Sequence, residues 1–117
     1  MLTSSKKQKG RRLQKYIVSK ILEYFPSLSS KDVQSRAMGS QGTDIVLSEA
    51  AFKMFPFCVE AKNKETNKAL LKDWLQAIAN TEDGEPLLVL GSNNSPTFAV
   101  IEFDMFMKMS KAYYGKN

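Results

Sequence analysis

From Leu13 onward the apolar residues Leu13, Tyr16, Ile17, Ile21 and Tyr24 recur at helical spacing, and Pro26 follows Phe25 as a stop. This predicts a first helix over residues 10–25. The polar, basic residues 1–9 before it have nothing to bury and read as a flexible tail. A loop over 27–31 leads to a short strand over 32–37, and Gly39-Ser40-Gln41-Gly42 gives a flexible approach to a second strand, Thr43-Asp44-Ile45-Val46-Leu47. The pattern over 49–55 fits a broad turn with helical character. An extended pattern then resumes from Pro56 to Lys62. Phe57, Val59 and Ala61 share one face of this third strand, and Glu60 and Lys62 point together from the other, because strand side chains alternate at period two.

A second helix is predicted over 66–80, with Leu70, Leu71, Trp74, Leu75 and Ile78 as the apolar stripe it buries. Residues 81–86, with Asp83-Gly84, break it. Two more strands follow over 87–90 and 97–101, joined by turn residues, and a short helix over 103–111 closes the chain. The order helix, three strands, helix, two strands, helix describes an α/β domain around a mixed sheet, since a helical crossover between strands three and four is what a parallel pair requires. Phe103, Met105, Phe106, Met107 and Met109 exceed what one face of a short helix buries, so some are expected to cover a partner subunit.

The chain has 117 residues, 43% hydrophobic and 25% charged, the balance of a single globular domain, here placed over 10–117. Seventeen Lys and Arg against twelve Asp and Glu give a net charge of +5, which favours an anionic partner. The excess is local: seven basic residues lie between Lys6 and Lys20, ahead of the first acid, Glu23. Histidine is absent and Cys58 is the only cysteine. The chain alone therefore cannot form a disulfide, a Cys/His zinc site, a Ser-His-Asp triad or a histidine-dependent nuclease centre. No apolar run approaches the roughly 20 residues a membrane helix needs, and no apolar signal core follows the basic start, so a reducing cytoplasm is expected. Cys58, between Phe57 and Val59, reads as a buried hydrophobe.

The chemical signal is Asp44 followed, one strand later, by Glu60-Ala61-Lys62. Two carboxylates can hold Mg²⁺ or Mn²⁺, with the Ala61 carbonyl as a further oxygen. Lys62, on the face of Glu60, can orient an attacking water and stabilise charge developing on a phosphate. A Glu-X-Lys triplet alone often forms a solvated strand face. It gains weight here from the acid on the preceding strand, the glycine-rich approach and the basic leading helix. Arg11, Arg12 and Lys15 sit in the opening turns of that helix, where the macrodipole disfavours cations, so a phosphate partner accounts for their placement. Arg36, Lys64 and Lys68 flank the acids in sequence and extend the same surface. Basic and aromatic residues do not interleave as in base-stacking surfaces, so contacts to phosphate and DNA shape are expected rather than base readout.

At Asp44 and Glu60-Ala61-Lys62 the sequence resembles the PD-(D/E)XK nuclease superfamily, whose motif is an acid, a variable gap and Glu-X-Lys; Thr43 stands where a proline is common. Within it the chain is most similar to small archaeal and phage Holliday-junction resolvases, through Lys9-Gly10 opening the first helix, the 36–42 segment before the acid, and the compact length. The similarity spans roughly residues 9–104. It implies a restriction-endonuclease-like α/β fold, with a mixed central sheet flanked by helices. It further implies a metal-dependent DNA endonuclease using Mg²⁺, with Mn²⁺ substituting, that acts as a homodimer on branched or four-way DNA, in the host cytoplasm if phage-encoded. In those roles Asp44, Glu60 and Ala61 hold metal and Lys62 handles water. Gln14 occupies the place of a helix glutamate, Ser40 loosely matches a phosphate-contacting serine, and Gln76 matches a glutamine directed at the active site. A nicking or general structure-specific nuclease, a noncatalytic DNA-binding module of the same fold, and a module binding an acidic protein remain alternatives.

Overall fold

Helix α1 (Ser4–Tyr24) lays Leu13, Ile17 and Ile21 into the core against two strands, β1 (Val33–Ser35) and β3 (Phe57–Asn63). In this computed structural model residues 4–37, 39–63, 69–92 and 94–114 are described. The helix begins at Ser4 rather than near Gly10, so much of the stretch expected as a tail is helical. Lys, Arg and Gln are good helix formers, and the apolar period that would reveal the helix starts only where it meets the core.

Strand β1 pairs antiparallel with β2 (Ile45–Leu47), Gln34 opposite Val46. The ambiguous segment after β2 is a helix, α2 (Glu49–Met54), because Ser48 caps it: its hydroxyl accepts the Ala51 N–H at 3.1 Å and donates to Asp32 at 2.7 Å. Strand β3 runs parallel to β4 (Glu85–Gly91), with Glu60 opposite Leu88, and helix α3 (Leu70–Ala79) forms the crossover. Strand β5 (Phe98–Val100) pairs antiparallel with the far edge of β4, giving the order β3-β4-β5 in a mixed sheet. Helix α4 (Phe103–Tyr114) ends the described chain. Val59 and Ala61 of β3 join Leu87 and Val89 of β4 under α1, while Leu88, fully buried, lies on the opposite face. No described helix is long and apolar enough to cross a membrane.

Two expectations about burial are corrected. The α3 stripe is not its packed face: Leu71 is 70% exposed, Leu75 54%, Ile78 45% and Leu70 38%, and Trp74 is half-buried. The helix instead turns Asp73 and Ala77 inward, with Asn80 one turn on, because the small Ala77 permits close approach to the sheet. Cys58 is half-buried rather than core, since it shares the Glu60 face of β3, and its thiol donates to the Asp83 carbonyl at 2.8 Å.

Candidate active site

Asp44 sits just ahead of β2 and is held from both sides by backbone. Its N–H donates to the Val59 carbonyl at 3.0 Å, and its own carbonyl accepts the Arg36 N–H at 2.7 Å. Its carboxylate then reaches one step along β3 and accepts the Ala61 N–H at 2.8 Å. The N–H and C=O of one strand residue point to the same edge, so the Ala61 carbonyl also faces the Asp44 side of β3.

Glu60 projects from β3 toward α3 and is buried. One carboxylate oxygen lies 3.5 Å from the Lys62 ammonium, and the other accepts a hydrogen bond from the Asn80 amide at 3.3 Å. Burial raises the Glu60 pKa above its ordinary value, and the nearby charge of Asp44 raises it further, against the opposing pull of Lys62 and Asn80. Burial also raises the Asp44 pKa, opposed by the Ala61 N–H and by the charges of Lys62 and Arg36. Two acids thus repel each other in a partly desolvated place, with one ammonium close to one of them.

Beside them opens a groove of about 1080 Å³, bordered by Arg36, Ser40, Asp44, Glu60, Gln76 and Asn80. The guanidinium of Arg36 donates to the Thr43 carbonyl and lies against Gly42. Gly42 has φ of 104°, and a Cβ there would sit 3.1 Å from the guanidinium carbon, so this glycine keeps the loop against Arg36.

The structure therefore brings together Asp44, Glu60, Ala61 and Lys62, and sets Arg36, Ser40 and Gln76 on the groove. Gln14 does not border the groove; it is buried on α1. Arg11, Arg12 and Lys15 are exposed on α1 and do not border the groove. Lys64 and Lys68 lie outside the described residues. Sequence reasoning missed Asn80, which reads only as the end of a helical pattern. A polar residue one turn beyond Gln76 was the available signal.

The donor set fits a hard divalent cation. Two carboxylates whose proton affinities are raised by burial, that of Glu60 further by the charge of Asp44, with a backbone carbonyl on the same edge, supply oxygen ligands and excess negative charge. Among the described residues no three of Asp, Glu, Cys or His gather as a larger cluster, so waters would complete the coordination, as Mg²⁺ commonly retains them. No family model matches the chain, and the comparisons with curated proteins and with solved structures find no match.

Proposed function

We propose that this chain is a divalent-metal-dependent DNA endonuclease of the PD-(D/E)XK type, acting on branched DNA. The proposal takes the β3-β4-β5 sheet, with α1 and α3 on its two faces, as the core of a restriction-endonuclease-like fold. The observation that carries it is the convergence of Asp44 and Glu60, 16 residues apart along the chain, at the border of an open groove, with the Lys62 ammonium 3.5 Å from Glu60.

Asp44, Glu60 and the Ala61 carbonyl would hold Mg²⁺ or Mn²⁺, which supplies Lewis acidity toward a phosphate and promotes ionisation of water. The protein's own groups do the positioning. Asn80 and Lys62 fix the two oxygens of Glu60, and the Ala61 N–H fixes Asp44. Lys62 is the ammonium that holds the attacking water and offsets charge building on the phosphate. Arg36, on the groove, meets the DNA backbone beside the acids.

Purified protein is offered a four-way junction, a matched duplex and a nicked duplex, each with Mg²⁺, Mn²⁺ or EDTA. Symmetric paired cuts confined to the junction support resolution, and equal cutting of all three makes the chain a general nuclease. Lys62→Ala is expected to lower cleavage by about 10²–10³-fold while DNA binding in EDTA persists. The placement of Gln14 away from the groove favours a second reading, a DNA-binding module without catalysis. That reading requires junction binding in EDTA with no cleavage at any metal concentration.

A further inference from the structure

Three unsatisfied features gather along one strand. β5 is bonded to β4 alone among the described strands, so its other edge is open. Beside its start, at Thr97, lies a groove of about 270 Å³ walled by Ile17, Ile21, Tyr24, Phe55 and Val89. Beyond its end comes α4, twelve residues long, on which no described side chain is buried. Phe106 is 51% exposed, Met107 50%, Met109 44% and Tyr113 69%. A helix of this length is marginal in water without a surface to pack on.

The chain's own α4 leaves from the end of β5 opposite the groove. A second copy whose β5 runs antiparallel beside the first would send its α4 out next to Thr97. We infer that two copies exchange α4 across a two-fold axis perpendicular to the paired β5 strands, each α4 laying its apolar side chains over the groove of the other.

Area supports this occupant. Phe106, Met107, Met109 and Tyr113, with the exposed Tyr16 and Tyr24 at the groove, present roughly 700 Å² per copy, taking ~200 Å² for a large side chain. A standard interface buries about 800 Å² on each partner. A two-fold axis sets like against like, which apolar surface tolerates and a one-sign charged patch does not.

Sedimentation of the full chain at micromolar concentration should give twice its 13.2 kDa mass. Phe106→Glu and Met109→Glu, both at exposed positions, should each give a monomer with an unchanged far-ultraviolet circular dichroism spectrum. Leu75→Glu, on the exposed face of α3, should remain dimeric. In the unsubstituted protein, mixed from isotope-labelled and unlabelled copies, a lysine cross-linker should join Lys20 of one copy to Lys108 or Lys111 of the other. A wild-type monomer, a dimer surviving both α4 substitutions, loss of the dimer through Leu75→Glu alone, or lysine links confined within one copy would each overturn the exchange. None of these measurements involves DNA or metal, so the nuclease reading stands or falls separately.

Discussion

The carboxylate of Asp44 accepts the backbone N–H of Ala61, the residue between Glu60 and Lys62, at 2.8 Å. Together with the bond from the Asp44 N–H to the Val59 carbonyl, this joins the small β1-β2 sheet to β3. One side chain therefore has two duties, orienting a charge and closing a seam, and substitutions can separate them.

Asn at position 44 keeps an oxygen for the Ala61 N–H but removes the charge that Glu60 repels. In EDTA, Asp44→Asn should unfold at or above the wild-type midpoint while losing metal-dependent cleavage. Asp44→Ala removes the acceptor, and leaving the Ala61 N–H without a partner should cost about 1–3 kcal/mol. Urea unfolding of the three proteins in EDTA checks this. Equal stability of the Asn and Ala variants would show that the seam does not depend on this bond.

The raised pKa values of Asp44 and Glu60 fix a direction of pH dependence. A carboxyl that binds its proton more tightly in the fold than in the unfolded chain stabilises the fold below the ordinary carboxylate range. That contribution is lost as pH rises through the folded value. Asp32, whose pKa is lowered by hydrogen bonds from Ser29 and Ser48, acts in the opposite sense, so the comparison must isolate Glu60. In EDTA, Glu60→Gln should become progressively more stable than wild type as pH rises from about 4, the ordinary carboxylate range, through the raised folded value. Adding Mg²⁺ should reverse the order at the upper end, because an ion binding the ionised pair stabilises only the protein that retains it. A difference independent of pH, measured by thermal unfolding, would remove the charge conflict from the account.

How much of this was legible follows from where periodicity carries information. β3 showed its two faces because apolar and charged residues alternate from Val59 to Lys62, and the Glu60–Lys62 pair follows from that alternation. The orientation of α3 was hidden. Its leucines outweigh Ala77 and Asp73 in any apolar pattern, yet close approach to the sheet selects the smaller face. The link from Asn80 to Glu60 was hidden too, because it spans a crossover whose length no local pattern sets. The start of α1 was illegible for a different reason: its first turns carry no apolar residues.

The turn before β4 offers a stability test with an internal control. Gly84 has φ of 87°, and a Cβ there would lie 2.6 Å from the Pro56 carbonyl oxygen and 2.5 Å from the Phe52 ring. The ring can rotate, but that carbonyl accepts the Glu85 N–H at 2.9 Å and cannot leave without opening the start of β4. Gly84→Ala should therefore cost about 2–4 kcal/mol. Gly39 has nearly the same φ, 86°, with nothing within 4 Å of the added atom. Gly39→Ala should cost only the backbone strain of about 1–2 kcal/mol. Similar urea midpoints for the two variants would mean that the Pro56 contact relaxes freely.

Asn80 separates positioning from folding at the site. Its backbone N–H bonds to the Gln76 carbonyl at 3.0 Å and ends α3, a role that alanine preserves, whereas its side-chain amide alone reaches Glu60. Asn80→Ala should lower unfolding stability by about 0.5–1.5 kcal/mol, the net worth of one hydrogen bond. On the proposed reading it should reduce the cleavage rate by roughly tenfold, since Glu60 then keeps only its contact with Lys62, while DNA affinity in EDTA is unchanged. Asn80→Asp should be slower still, because a third carboxylate would face a pair that already repels. Single-turnover cleavage beside binding in EDTA distinguishes the cases: a wild-type rate in Asn80→Ala would show that Lys62 alone holds Glu60 in place.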